Sequence, residues 1–590
     1  LKRAIVAILA ALGGLVIIAF LFLIAMSWAV LSPTPIPSSV VLELDLRDGI
    51  VETVPEDPFL MAFGSRRLRV HDVVEGLEVA ASDRRVAGLL VRGDGAVGGW
   101  AGTEELRDAV LRFRESGKPA VLFAETFGEF GAGQAGYFLG SAFDEIVLQP
   151  SGEVGLLPLV ADVPFFAEAL DKLDVEARFD RRWEYKDAAE ILTRSRFSEP
   201  AREAIETLLE SILSTLVDAV AEARQLPSDS VRSLVRDGPF LARPALEAGL
   251  VDRLGYLDEA RDRVRELADA DGEHLSFRKW NERRRDGWTR GPRVALVHGV
   301  GAIQRGRGGF DPISGTMSLG AEVIAENLRS AIDDDRVRAI LFRVDSPGGS
   351  WPGSDQVRRE LQRARDAGKP VVVSMGNAAA SGGYLISAPA DRIVAHRTTV
   401  TGSIGVAGGR LVTRGLWDRL GVDWDRVSAG GEMSYFSGVD DFTDEEWERF
   451  QESLDHIYDE FVRHVAEGRS MDRSAVEEVA RGRVWSGRDA HAAGLVDALG
   501  GYSTALGEIR TLLDLEADAP LQVATYPPER TFVQLLLEDG FRVAIRGGGP
   551  QLQGGTVEQL RQLLRRAGAL GLLGEHPGPV RMPYLEIPAL

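Results

Sequence analysis

The sequence predicts an α/β protein built from two tandem α/β repeats behind one N-terminal transmembrane helix. Three observations carry that reading. The chain opens on a long uncharged apolar run, its two halves match each other in order, and short β-branched runs alternate with helical patterns.

The opening run comes first. Lys2 and Arg3 precede a stretch without charge that extends to Leu42, and its apolar part covers residues 4–31. A helix crossing a bilayer needs about 20 such residues, whereas the apolar core of a cleaved leader has about 7–15. The length favours an uncleaved anchor over residues 1–32. Lys2 and Arg3 then keep the N-terminus cytoplasmic and send the remainder across the membrane. The Pro-rich stretch Ser32-Pro33-Thr34-Pro35-Ile36-Pro37-Ser38 is a stiff spacer off the lipid.

The duplication follows. Arg85-Val86-Ala87-Gly88-Leu89-Leu90-Val91-Arg92 parallels Arg336-Val337-Arg338-Ala339-Ile340-Leu341-Phe342-Arg343. Asp94 and Trp100 stand where Asp345 and Trp351 stand. Gly117-Lys118-Pro119 parallels Gly368-Lys369-Pro370, and Gly136-Tyr137 parallels Gly383-Tyr384. Ala248-Gly249-Leu250-Val251-Asp252 parallels Ala493-Gly494-Leu495-Val496-Asp497. Five ordered matches with small gaps are poorly explained by chance. The repeats are placed at residues 33–290 and 291–515, with an appendage at 516–590 that holds Gly547-Gly548-Gly549-Pro550 and a helix near 557–566.

Residues 339–344 and 371–375 have strand length and β-branched content, while 321–331 and 354–367 show helical spacing. Alternation of this kind predicts parallel α/β layers. Two long amphipathic helices, at 199–223 and 444–467, are expected as counterparts.

Composition narrows the function. The 590 residues hold no cysteine, which removes disulfides, thiolate metal sites and cysteine nucleophiles together. A net charge of −21 argues against nucleic-acid binding. No histidine spacing suits a metal, and no phosphate-cradling loop or dinucleotide fingerprint occurs, so neither metal nor cofactor is expected.

What the repeats do not share is the informative part, because structural residues tend to persist in both copies. Ser381, in Asn377-Ala378-Ala379-Ala380-Ser381-Gly382-Gly383-Tyr384, falls on an expected strand-to-helix turn, where a hydroxyl projects beside free backbone N–H groups. Its first-copy counterpart is Gln134. A serine nucleophile needs a base. His396 is the histidine near it in sequence; lysine is the other option, if desolvation lowers its pKa. The chain has only six lysines. Lys2 belongs to the anchor, Lys118 and Lys369 share one turn in both copies, Lys279 sits in a polar linker, and Lys172 aligns with Arg419. Lys186 aligns with Met433. One copy thus carries a lysine without a serine and the other a serine without a lysine. A composite site between them explains both losses.

These features resemble the signal peptide peptidase A (protease IV) family in its long form, within the Clp protease/crotonase superfamily. The resemblance covers about 40–515 plus the anchor. It rests on Asp345-Ser346-Pro347-Gly348-Gly349, Ala380-Ser381-Gly382-Gly383-Tyr384 and Thr401-Gly402-Ser403-Ile404-Gly405-Val406. It implies two crotonase/Clp-like repeats. It also implies Ser381 as nucleophile, Lys186 as general base, the N–H groups of Gly349 and Gly382 as oxyanion donors, and Ser403 as the lysine's partner. The implied activity is degradation of cleaved signal peptides and other apolar peptides at a bacterial-type inner membrane, with the catalytic body on the extracytoplasmic side. A homotetramer is implied as well. Plainer readings compete with these. Ser381 could serve as a helix N-cap, Lys186 as a surface lysine, Ser403 as a loop hydroxyl, and Asp345 and Ser346 as turn residues. Two other functions stand as alternatives: an acyl-CoA enzyme of the same fold, and an inactive peptide-binding scaffold.

Overall fold

The computed structural model describes residues 35–54, 67–93, 98–284, 289–311, 316–430, 434–435 and 437–528. The expected anchor at 1–32 and the expected appendage features near 547–566 lie outside them. Among the described residues no helix is long and apolar enough to cross a membrane.

Each repeat forms a sheet around six parallel strands whose order is the same in both; in the second, Val400–Gly402 joins the sheet and Val484–Ser486 pairs antiparallel with it. The first sheet runs Arg253–Leu254, Glu145–Leu148, Ala120–Ala124, Val86–Arg92, Val40–Asp45, Glu273–Ser276. The second runs Ala498–Leu499, Arg392–Ala395, Val371–Ala380, Val337–Ser346, Arg293–Val300, Gln522–Thr525. The last of these lies beyond the expected 515 boundary, in the stretch read as an appendage. It occupies the place that Glu273–Ser276 takes in the first sheet, so the second repeat's sheet extends at least that far.

The central strands are apolar on both faces, as parallel strands must be when helices cover both sides. Along the second sheet the faces alternate with period two. Val294, Leu296, Ala339, Leu341 and Val372 join a core shared with the first repeat. Ala295, Val297, Ile340, Phe342, Val371 and Val373 join the second repeat's own core. The repeats are therefore packed through a common interior. The helices Ala321–Asp333, Trp351–Asp366, Glu199–Arg224 and Asp444–Arg469 begin and end within a few residues of the expected spans.

Two features of the second repeat prepare the site. The strand Val371–Ala380 continues past the expected end at Met375, because Val400–Gly402 pairs with Ala378–Ala380 where Arg392–Ala395 leaves off. In addition, Glu176–Arg181 of the first repeat pairs antiparallel with Ala407–Val412 of the second. That ladder carries the first repeat's Lys186 loop onto the second repeat.

Candidate active site

Ser381 stands between the strand Val371–Ala380 and the helix Gly382–Ser387, at φ 55° and ψ −119°. An L-residue rarely adopts this geometry, and it persists only where the surroundings hold it. Here Ser381 N–H donates to Gly402 O at 2.8 Å, and Leu385 N–H donates to Ser381 O at 3.0 Å. The side chain makes no capping bond to its own helix, so the N-cap reading does not describe it.

Lys186 meets Ser381 across the repeat boundary. Its Nζ lies 2.9 Å from Ser381 Oγ, 2.9 Å from Ser403 Oγ and 3.0 Å from Ser403 O. Both Lys186 and Ser381 are 3% exposed, which excludes the surface-lysine reading. Burial pushes the Lys186 amine down to about 7, against the opposing pull of Asp187. Glycines line its stem: a side chain at Gly482 would sit 2.6 Å from Lys186 Cβ, and one at Gly405 would sit 3.3 Å from Cδ. Ser403 adopts a left-handed φ of 51°, with its N–H donating to Arg483 O at 2.7 Å. Two serines in unusual conformations thus face one buried amine.

The glycine loop borders the nucleophile. Gly348 and Gly349 have φ of 102° and 146°. A Cβ on Gly348 would lie 2.6 Å from Gly382 N and 3.0 Å from Ser381 Cβ. Ile303 N–H donates to Gly348 O at 2.7 Å and Ser350 N–H to Ile303 O at 2.9 Å, which orients the peptide between them. Among the described residues, neither Gly349 N–H nor Gly382 N–H donates to a backbone carbonyl outside the regular ladders. Such N–H groups beside a buried hydroxyl suit a developing oxyanion.

The remaining sequence candidates are placed elsewhere. His396 is fully buried with Nε2 3.1 Å from Glu105 of the first repeat, so it serves the repeat interface and is not the base. Ser346 Oγ donates to Gly301 O at 2.7 Å, and Asp345 accepts Ala378 N–H at 2.9 Å; both hold loops. Lys118 and Lys369 each donate to carbonyls at a helix end, Ala80 and Asp83 in one repeat, Ala331, Ile332 and Asp334 in the other. That equivalence is what the duplication predicts for structural lysines.

Two residues escaped the sequence reading. Arg181 Nη1 donates to Lys186 O at 3.2 Å and to Glu190 Oε1 at 2.7 Å, clamping the lysine's own peptide. No sequence signal separates it from the other arginines. Asn377, on the strand that leads to Ser381, bridges the repeats. The duplication test marks it, because the first copy offers Thr126 or Phe130 there.

The sequence pattern of peptidase family S49 matches residues 112–271 and again 363–516, just over half of the chain. The chain belongs to peptidase family S49. The chloroplastic serine protease SPPA of Arabidopsis thaliana is 33% identical over 451 residues, covering 74% of this chain and 65% of that protein. Protease 4 of Salmonella typhi is 32% identical over 459 residues (75% and 72%), and Protease 4 of Haemophilus influenzae is 30% identical over 473 (78% and 75%). The S49 chain is a serine protease, which displaces the acyl-CoA and scaffold alternatives.

Proposed function

We propose that this S49 chain is a membrane-anchored endopeptidase in which Ser381 is the nucleophile and Lys186 the general base. The observation that carries the reading is the 2.9 Å approach of Lys186 Nζ to Ser381 Oγ inside a buried site. A neutral amine accepts the Ser381 proton as the oxygen attacks a peptide carbonyl. Gly349 and Gly382 N–H groups hold the oxyanion. The amine returns the proton to the leaving nitrogen, and a water activated in the same way releases the acyl group. Ser403 keeps Nζ aimed at Ser381.

The substrates under this reading are cleaved signal peptides and other extended apolar peptides delivered at the bilayer. The anchor is residues 1–32, the body is extracytoplasmic, and the assembly is a homotetramer. The apolar N-terminal run and the family resemblance support these parts. The test is cleavage of a fluorogenic hydrophobic peptide by detergent-solubilised protein. Wild type should cut, while folded Ser381→Ala and Lys186→Ala should not. Wild-type turnover by Lys186→Ala would overturn the dyad.

A further inference from the structure

The first repeat does more for the site than supply Lys186. The helices Trp100–Glu115 and Trp351–Asp366 are counterparts in the two repeats. In the second, Ser350 caps its own helix, with Oγ accepting Gly353 N–H at 3.3 Å. In the first, the cap position is Gly99, at φ 124° and without a side chain. The equivalent N–H, that of Gly102, donates instead to Asn377 Oδ1 of the second repeat at 3.1 Å. A Cβ on Gly99 would lie 2.4 Å from that oxygen, so a side chain in cis and Asn377 exclude each other. The cap has moved across the repeat boundary.

Asn377 also links the first repeat to the strand that leads into the glycine loop. Its Nδ2 donates to Gly98 O at 2.9 Å and to Asp345 Oδ2 at 3.4 Å. Asp345 opens the glycine loop, and its other oxygen accepts Ala378 N–H at 2.9 Å. This cluster sits where the ladder between Val337–Ser346 and Val371–Ala380 loses its register, between Val344 and Ser346. Across that shift the Asp345 carboxylate, accepting from Asn377 Nδ2 and Ala378 N–H, ties the strand that leads into the glycine loop to the strand that ends at Ser381.

We propose that Asn377 is a positioning residue that sets the oxyanion geometry by locking the glycine loop and the nucleophile strand to the first repeat's helix. The proposal rests on the Ser381–Lys186 reading. It separates two contributions of the first repeat, one through the base and one through the oxyanion donors. Misplacing a reacting group by about 1 Å costs about 10²-fold in rate. Asn377→Ala should therefore lower kcat by about that factor and leave KM little changed. The pH at which activity rises should not move, because Asp187, Ser403, Gly405 and Gly482 surround Lys186 independently of Asn377.

The experiment uses the full chain in detergent. The fluorogenic peptide gives kcat and KM between pH 6 and pH 9, with kcat normalised to serine titrated by a fluorophosphonate. Normalisation removes any loss through misfolding, and Asn377→Ser, too short to reach Gly102, should show a fall in the same sense if Asn377→Ala folds poorly. A kcat per titrated site within about twofold of wild type in both variants overturns the proposal, as does a shift of the pH limb. Retained turnover and labelling in Ser381→Ala would instead sink the underlying site assignment.

Discussion

If burial holds the Lys186 amine at about 7, the reactivity of Ser381 should track the neutral fraction of that one group. The perturbation is pH, and the assay is the rate of fluorophosphonate labelling, which reports nucleophile activation without product release. A base of that pKa is about one-tenth neutral at pH 6, half at pH 7 and about nine-tenths at pH 8. The rate should rise about tenfold from pH 6 to 8 and then level off. A lysine at its ordinary value of about 10.4 would be less than about 1% neutral at pH 8, and labelling would climb about tenfold per unit towards pH 10. The fold thus disfavours the charged amine by about 4–5 kcal/mol. The sign follows: this cost is complete below about pH 7, shrinks as pH rises, and is gone above about 10.4. Lys186→Met should lose labelling yet resist denaturation better at pH 7 relative to wild type than at pH 10. Labelling that fails to level off by pH 9, or a stability difference independent of pH, would refute a neutral buried base.

Lys186→Arg should be inactive in the peptide assay at every accessible pH, because guanidinium stays protonated; measurable turnover would place the base elsewhere. Ser403→Ala should lower kcat/KM by about tenfold, the worth of one hydrogen bond of about 1.4 kcal/mol, since Ser403 O still accepts from Nζ; an unchanged value would make Ser403 a bystander. Gly349→Ala should cost about 10²–10³ in kcat, because its Cβ would meet Ile303 O at 2.2 Å and turn the amide away; the readout is kcat per labelled serine. Glu105→Ala should destabilise the protein by about 3–5 kcal/mol, read as a lowered thermal midpoint. Burial pushes the Glu105 carboxyl up, but His396 and Arg343 more than offset it and hold it at about 2. Its contribution is complete above the ordinary glutamate range and drains away as pH falls towards about 2.

Much of the architecture was legible because duplication leaves a double record. The Gly-Lys-Pro turns and the matching runs at 85–92 and 336–343 announced both sheets, and 3.6-residue periodicity located the long helices. Ser381 and Lys186 stood out for the opposite reason, having no counterpart. What stayed hidden depended on pairing between distant segments. Nothing local in Asn377-Ala378-Ala379 says that the strand runs on to Ala380; that extension needs Val400–Gly402 alongside. The boundary at 515 fell short for the same reason, since Gln522–Thr525 is a strand by virtue of its neighbour Arg293–Val300. His396 illustrates the converse: proximity in sequence suggested a base, whereas Glu105 claims it from 291 residues away.

The 195 residues that separate Lys186 from Ser381 bear on when this protease can act. Chains emerge N-terminal half first. Under the proposed dyad, the early half holds a base with nothing to activate and the later half a hydroxyl with nothing to activate it. A nascent or truncated chain is therefore harmless to its neighbours, and hydrolytic competence arrives only when the second repeat closes against the first. A cut between the repeats that let them part would reverse that step, silencing the enzyme without touching either catalytic side chain.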